Sequence, residues 1–503
     1  MSACLSALVL APLVGRVCRW LGIVDRPDGH RKLHAHAVPL TGGPTVLLSI
    51  LVSISATSYF FSDLLSSSEG DTWFLMLLAA ASLLIVGLGV LDDRFGIRGR
   101  QKLFGQFLAA LIMVPSGIMI RQVEVFGYPI EFGDVAPLVT IFWILGAINA
   151  LNLIDGVDGL ASTTGIILSL SVAAVTYILG GRPDGLLISL ALAGALIGFL
   201  FYNFPPAKMF LGDSGSMLIG LVLGCVALKC SLKQYAAVAL IMPTAIWAIP
   251  IFDVAMAIVR RRLTGRSIYA TDRGHLHHCL VRRGHTGARL LFFVGALCSL
   301  TGAGAIAAAA FGNDLIAVVA VLTAVMILVV TRSFGHAEMH LLANRIRRFG
   351  GSLLKKVEGP RPLMHDEQVR LQGKGQWEEL WQTLTTFAEE QRLDRVELMI
   401  SLPSFGEEYH ATWRTRSEVE HHEAWRSEIP LVIERLRVGH IKIVGSVGSD
   451  SIRTWMIEKI DGLAPFETQL GKIIRSVRAA KSSAVVVQVR DSDTFQLPQP
   501  TSV

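Results

Sequence analysis

Five short stretches of this chain gather acids, bases and glycines between long apolar runs. They are DRPDGHRKLHAHAVPLTGG at 25–43, LDDRFGIRGRQKLFGQ at 91–106, ALNLIDGVDGLA at 150–161 and FLGDSGS at 210–216. The fifth runs from PIFD at 250–253 through RRR at 260–262 to DRGHLHH at 272–278. Seven of their acids, Asp92, Asp93, Asp155, Asp158, Asp213, Asp253 and Asp272, stand among many Arg, Lys and His. Carboxylates hold hard divalent cations and bases hold phosphates, so together these are the components of metal-assisted phosphoryl transfer.

Each stretch also has a plainer explanation. Adjacent Asp92 and Asp93 could end a helix and pair with Arg94 or Arg98. Asn149, Asn152, Asp155 and Asp158 recur every third residue, which predicts a slanting polar stripe on a helix, with Gly156 and Gly159 loosening the backbone for a ligand. Helix capping accounts for one of those acids but not for the stripe. GDSGS superficially resembles a serine-protease nucleophile loop, yet Ser214 sits at the mouth of an apolar helix with no partnered His and Asp. The small residues at 212, 214, 215 and 216 instead leave Asp213 unobstructed and let backbone N–H groups reach a phosphate. His275, His277 and His278 lack the spacing and second ligand set of a zinc site. Arg260, Arg261 and Arg262 read as positive-inside anchors.

The elements that must position these groups are membrane helices. With 52% hydrophobic and 17% charged residues and a mean hydropathy of +0.51, the 503-residue chain is a polytopic membrane protein with a polar appendage, not a water-soluble globule. A charge at the bilayer centre costs about 2.5–3.5 kcal/mol, so acids at span boundaries are functional candidates. The six cysteines show no C-x-x-C and no regular spacing, and read as small buried hydrophobes. At about 20 apolar residues per span, eleven helices are expected: 2–22, 41–62, 73–90, 103–120, 135–150, 159–180, 185–203, 211–228, 235–259, 290–311 and 314–331. The first lacks the basic n-region and cleavage site of a signal peptide and is expected to be retained. The loops 19–40, 91–102, 151–158, 203–210 and 257–289 hold 17 Lys and Arg, the intervening ones only 4. The positive-inside rule therefore places all five stretches and the tail beyond 332 in the cytoplasm, with the N-terminus outside.

In this order and topology, RKLHAHAVPLTGG, LDDRFGIRGRQKLFGQ, NLIDGVDGLA, FLGDSGS, PIFD and RGHLHH resemble the motifs of the polyprenyl-phosphate N-acetylhexosamine-1-phosphate transferases, within them the WecA/TagO type rather than the MraY type. The likeness reaches residue 333 or so. It implies transfer of a sugar-1-phosphate from a UDP-N-acetylhexosamine to undecaprenyl phosphate with release of UMP. This would be the first membrane step of a cell-envelope polysaccharide, lipopolysaccharide O-antigen or teichoic acid, at the bacterial cytoplasmic membrane. The resemblance implies Mg²⁺, with Mn²⁺ as a substitute, held by Asp213 and Asp92. It places Asp92, Asp93, Asp155 and Asp158 in the catalytic cleft. His275, His277 and His278 lie in the loop that engages the nucleotide sugar, Arg273 and Asn152 also bind substrate, and Lys102, Lys32 and His34 hold lipid phosphate as point charges. Two adjacent acids on a helix end point about 100° apart, so one should face the attacking phosphate and the other the cation or a basic neighbour. Asp92 is read as the base.

Leu276 interrupts the row of three histidines that MraY-type enzymes tend to show, which favours N-acetylglucosamine over a muramyl pentapeptide. A secondary transporter is the alternative from another class, but its acids would lie near the midplane and come with internal repeats. Beyond residue 350 the resemblance stops. QWEELWQTLTTFAEEQ, 376–391, predicts an amphipathic helix, RVELMISLPS, EYHATWRT, EIPLVIERL and HIKIVGSV predict strands, and 451–480 another helix. The expected plan is an all-α membrane domain over 1–333, a linker over 334–355, a cytoplasmic α+β domain over 356–485 and a disordered tail over 486–503. The α+β domain carries no nucleotide loop, metal cluster or catalytic pair and reads as a regulatory, dimerising or partner-docking module. The expected partners are the two substrates and membrane lipid, not nucleic acid, with a homodimer left open.

Overall fold

The computed structural model describes residues 1–25, 37–60, 69–125, 128–180, 183–231, 241–263, 274–336, 338–339, 364–372, 376–391, 393–402, 405, 407–415, 424–433, 436–446 and 463–492. The chain divides into two compact units, Met1–Glu338 and Met339–Val503.

The first unit is helical: α1 Ser2–Leu21, α2 Gly42–Phe60, α3 Glu69–Phe95, α4 Gly99–Met113, α5 Ala136–Ile154, α6 Leu160–Ile178, α7 Pro183–Asn203, α8 Gly212–Ser231, α9 Ile241–Ile246, α10 Ala248–Leu263, α11 Leu276–Arg282, α12 Ala288–Phe311 and α13 Asp314–Val330. Two short antiparallel ribbons interrupt them, β1 Val24–Asp25 with β2 Val38–Pro39 and β3 Gln122–Val125 with β4 Tyr128–Glu131. Among the described residues eight helices are long and apolar enough to cross a membrane: α1, α2, α3 from Thr72, α5 with the turn before it, α6, α7, α8 and α12. The other three expected spans fall short for visible reasons. The one at 103–120 is α4, 15 residues long, which gives way to a single turn of 3₁₀ helix at Pro115 and a left-handed Gly117. The one at 235–259 is broken at Trp247 between α9 and α10, and its first residues lie outside the described set. The last is α13, with 17 residues.

Helix α8 is the hub. Its sequence, MLIGLVLGCVALK after the first turn, is apolar on every face, as a helix surrounded by protein must be. Of its membrane window 83% is buried, against 22% for α1. Small residues let its neighbours approach: a Cβ on Gly89 of α3 would lie 2.3 Å from Ser214 Cα, one on Gly43 of α2 2.6 Å from Ser214 Cβ, and one on Gly220 2.6 Å from Ile148 Cα of α5. Close backbone approach through small residues is how helices associate where lipid supplies no hydrophobic drive.

The second unit is a five-stranded antiparallel sheet with two helices: β5 Met364–Gln372, α14 Trp377–Glu390, β6 Arg395–Leu402, β7 Glu407–Thr415, β8 Ala424–Ile433, β9 Leu436–Ser446 and α15 Ala464–Ser492, in the order β5-β7-β6-β9-β8. Strand β6 alternates cleanly, with Val396, Leu398, Ile400 and Leu402 buried, and packs in one core with the Trp377, Leu380, Trp381, Leu384 and Phe387 face of α14 and with Phe466, Leu470 and Ile474 of α15. Strand β5 is not predicted from the sequence, because MHDEQVRLQ offers no apolar alternation and its pairing with β7 holds it. Helix α15 runs to Ser492, into the segment expected to be disordered, while the expected linker begins with Phe334, which is buried within the first unit.

At the end of α8 away from Asp213, Lys229 pairs with Asp184 in the first turn of α7 and lies 3.8 Å from the ring centroid of Phe74 at the start of α3. Asp184 is 2% exposed. Removing one partner of a buried pair costs about 3–5 kcal/mol, whereas replacing both with apolar groups of like volume is near neutral. Lys229→Met should therefore lower the thermal midpoint in detergent sharply and Asp184→Leu/Lys229→Met should recover most of it. Equal loss in single and double variants would show that the pair is not the determinant.

Candidate active site

The first turn of α8 is capped by a side chain from another helix. Asp93, near the end of α3, accepts the Asp213 N–H at 2.8 Å on Oδ1, and the Ser214 N–H at 3.3 Å and the Ser214 hydroxyl at 3.0 Å on Oδ2. The first N–H groups of a helix have no internal partner and carry the positive end of its dipole, so a carboxylate there satisfies donors and charge together. Gly89 lies one turn before Asp93 and gives Ser214 its room. Gly212 has φ +73°, and a Cβ there would lie 2.7 Å from Asp93 Oδ2, so this position needs glycine on both counts. The expectation that N–H groups of FLGDSGS cradle a phosphate is corrected here: those of Asp213 and Ser214 are taken by Asp93.

With Asp93 committed, Asp92 faces elsewhere. Its Oδ1 accepts the Ile97 N–H at 2.9 Å, shaping the turn into α4, and its Oδ2 lies 2.9 Å from Lys102 Nζ. The same ammonium donates to Asp213 Oδ2 at 2.7 Å. The other Asp213 oxygen accepts Asn152 Nδ2 at 2.5 Å, and Asn152 also donates to Ser216 Oγ at 3.0 Å. One turn along α4 from Lys102, Gln106 Oε1 accepts Asn149 Nδ2 at 2.8 Å. Gln106 and Ser216 are absent from the expected site, although i, i+4 spacing from Lys102 points to the first. Asp92 and Asp213 thus aim one oxygen each at a single cationic point. That is what a Mg²⁺ ion asks of two carboxylates, with phosphates and water completing its shell, so the residues fit the ion. No group of three His, Cys, Asp or Glu that could hold a metal occurs among the described residues.

The predicted stripe on one helix stops at Asn152. Helix α5 ends at Ile154, Asp155 is its C-cap, and Gly159, at φ +72°, starts α6, because the two glycines break the helical run. Asp158 Oδ2 accepts the Ala207 N–H at 2.9 Å and pins the segment before FLGDSGS. Asp155 is half-buried, and its carboxyl lies well above the usual carboxylate range, from withdrawal from water first and then from the charges of Asp213, Asp93 and Asp158. The VPLTGG stretch is held beside the same loop: Phe210 donates its N–H to Pro39 O at 3.0 Å and accepts from Thr41 N–H at 3.1 Å. Lys32, His34, Asp272 and Arg273 lie outside the described residues.

The histidines join this cluster through a glycine. A Cβ on Gly156 would lie 2.2 Å from His277 Nε2, so the imidazole rests on the bare backbone of the NLIDGVDGLA loop. His275 and His277 stack with rings 5° from parallel and 6.2 Å apart, and His278 lies 4.2 Å from His277. Asp253 of α10, 1% exposed, holds the start of α11: Oδ1 accepts the Leu276 N–H at 2.8 Å and Oδ2 lies 3.1 Å from His275 Nδ1. PIFD is legible as a motif in the sequence, but this positioning role is not.

His277 is 4% exposed, and burial, then the charges of His278, His275 and Arg282, push its pKa down to about 3. A histidine whose folded pKa is depressed opposes protonation of the fold, so its contribution is present above an unfolded value of about 6.5 and lost as pH falls from there toward 3. His277→Gln should therefore lose less stability between pH 6.5 and 4 than the parent protein. Parallel thermal-midpoint curves for the two would refute a neutral, buried His277.

The profile of glycosyl transferase family 4 matches residues 75–231, which run from early α3 to the end of α8 and hold the Asp92, Asp93, Lys102, Asn152 and Asp213 network. The chain is similar to a probable undecaprenyl-phosphate N-acetylglucosaminyl 1-phosphate transferase of Bacillus subtilis, 32% identical over 305 residues, 59% of this chain and 81% of that protein. It is similar to a decaprenyl-phosphate N-acetylglucosaminephosphotransferase of Mycobacterium tuberculosis, 34% identical over 54% of this chain and 72% of that one. A phospho-N-acetylmuramoyl-pentapeptide-transferase of Moorella thermoacetica is 33% identical over 59% of this chain and 92% of its own length. The family match lies within the helical unit, and by this likeness the chain belongs to glycosyl transferase family 4.

Proposed function

We propose that the protein transfers N-acetylglucosamine-1-phosphate from UDP-N-acetylglucosamine to undecaprenyl phosphate and releases UMP, as the named activities of its relatives suggest. The observation that carries this reading is the Asp92–Lys102–Asp213 network, built from three helix ends at the same end of the bundle as the histidine helix. A lipid phosphate stays at the membrane surface while a nucleotide arrives from water, and such a network is placed to receive both. A cytoplasmic side for the network is supported by the Lys and Arg asymmetry of the loops.

In the reaction, an oxygen of the lipid phosphate attacks the sugar-bearing phosphorus of the nucleotide sugar. The P–O bond to UMP breaks, UMP leaves with that oxygen, and a lipid diphosphate sugar remains. Asp92 and Asp213 would hold Mg²⁺, which when bound neutralises the diphosphate and the departing UMP. Lys102, already between the two acids, is the side chain placed to pair with an incoming phosphate as a point charge. Asp92 is read as the base of the adjacent pair, because both oxygens of Asp93 are held by the start of α8 whereas Asp92 Oδ2 faces Lys102, the group that would meet the lipid phosphate. The lipid phosphate's second proton, with a pKa of about 6, would pass to Asp92 and then to water. His277, neutral and seated on Gly156, offers a nitrogen to a polar substrate without adding charge, and Nδ1 has no hydrogen-bond partner among the described residues.

Purified protein in detergent, given undecaprenyl phosphate, Mg²⁺ and a panel of UDP-sugars, should release UMP with UDP-N-acetylglucosamine. Release only with the UDP-muramyl pentapeptide would reassign the sugar, and a folded protein that yields none with any UDP-N-acetylhexosamine would overturn the transferase reading. Asp213→Asn should reduce turnover roughly 100-fold or more through lost cation binding. Near-normal rates at ordinary Mg²⁺ concentrations would remove Asp213 from the ligand set.

A further inference from the structure

Helix α10 carries two rows of contacts that meet at Arg260. Asp253 and Arg260 are seven residues apart, two turns, and so lie on one stripe of the helix. Asp253 holds the first residues of the histidine helix, and the Arg260 guanidinium fills the space beside Gly274, where a Cβ would lie 1.6 Å from Nη1. The second row is Phe252, Met256 and Arg260, at i, i+4 and i+8, which faces the segment that follows α13. There the Phe252 and Phe334 rings meet edge to face at 5.6 Å, and a Cβ on Gly335 would lie 2.8 Å from Phe252 and 3.5 Å from Met256 Sδ. Arg260 Nε donates to Glu338 Oε1 at 2.6 Å, with Arg260 4% and Glu338 6% exposed. The far end of the histidine helix is tied to the same segment, since Arg283, its C-cap, donates to Thr331 O at 3.0 Å and to Arg332 O.

Residues 331–336 and Glu338 therefore form a strap joined to both ends of α11, through Arg260 beside Gly274 at one end and Arg283 at the other. A surface residue would not carry a carboxylate this buried without an equally buried cation, so the Arg260–Glu338 pair is built into the packing.

We propose that the strap is a positioning element for the histidine helix, with Glu338 setting nucleotide-sugar affinity through Arg260. The proposal rests on the transferase reading above, in which the histidine helix engages the UDP-sugar. Glu338 touches no substrate in this account; it acts on where His275 and His277 stand.

The test is steady-state kinetics of UMP release by the full-length protein in nanodiscs, varying each substrate in turn, for the parent, Glu338→Gln, Glu338→Asp and Arg283→Gln. The expected result is a KM for the UDP-sugar raised on the order of 10-fold in Glu338→Gln and in Arg283→Gln, partial recovery in Glu338→Asp, and a KM for undecaprenyl phosphate within twofold of the parent throughout. A purely structural role would instead lower the folded fraction and the rate while leaving both KM values in place, and that result overturns the proposal. If Glu338→Gln is not recovered folded, Arg283→Gln decides alone, and an unchanged UDP-sugar KM there overturns it too. Absence of UMP release by the parent protein would count against the transferase reading; an active parent with unmoved variants counts against the strap alone.

Discussion

The site depends on one carboxylate placed against the start of one helix. Asp93 neutralises and satisfies the N-terminus of α8, and that contact fixes where Asp213 begins and therefore where its carboxylate points. The contact requires three backbones to meet almost without side chains, at Gly43, Gly89 and Gly212. It also anchors the most buried helix of the bundle to α3 and α2 at the same point. A polar group at such a junction could not be left unpaired in a dry interior, so the cap and the close packing stand or fall together.

From that cap follows a division of labour between adjacent acids. Because neighbours on a helix point about 100° apart, Asp93 can face α8 only if Asp92 faces away from it, toward Lys102 and the turn at Ile97. Asp92 and Asp213 then share one ammonium, and Asn152 holds the free side of Asp213. Of two residues identical in type and side by side, one caps α8 and the other faces Lys102.

Helix α10 extends this logic to the histidines. It is polar and apolar on alternating turns because it must hold two segments that are far apart in sequence, 274–278 and 333–338. The arginines at 260–262 look in sequence like anchors at a membrane surface; Arg260 is instead enclosed, with its charge met by Glu338. Sequence distance hides that pairing, since 78 residues separate the partners.

Composition, apolar run length and motif order were enough to read a mostly helical membrane unit, a C-terminal region with sheet and many of the acids and bases that the structure brings together, because hydropathy and strand alternation are local properties written residue by residue. The four central and late strands of the second unit were legible for the same reason, and β5 was not, because MHDEQVRLQ becomes a strand only through its partner β7. The polar stripe from Asn149 to Asp158 was legible as residues but misleading as a helix, since Gly156 and Gly159 end it and Asp158 turns to Ala207. Which acid caps α8 and which faces Lys102, why His277 sits on Gly156, and what neutralises Arg260 were decided by tertiary structure alone. Each depends on distances of about 3 Å between residues dozens to more than a hundred positions apart, and a periodic pattern along the chain carries no information about which helix end will meet which.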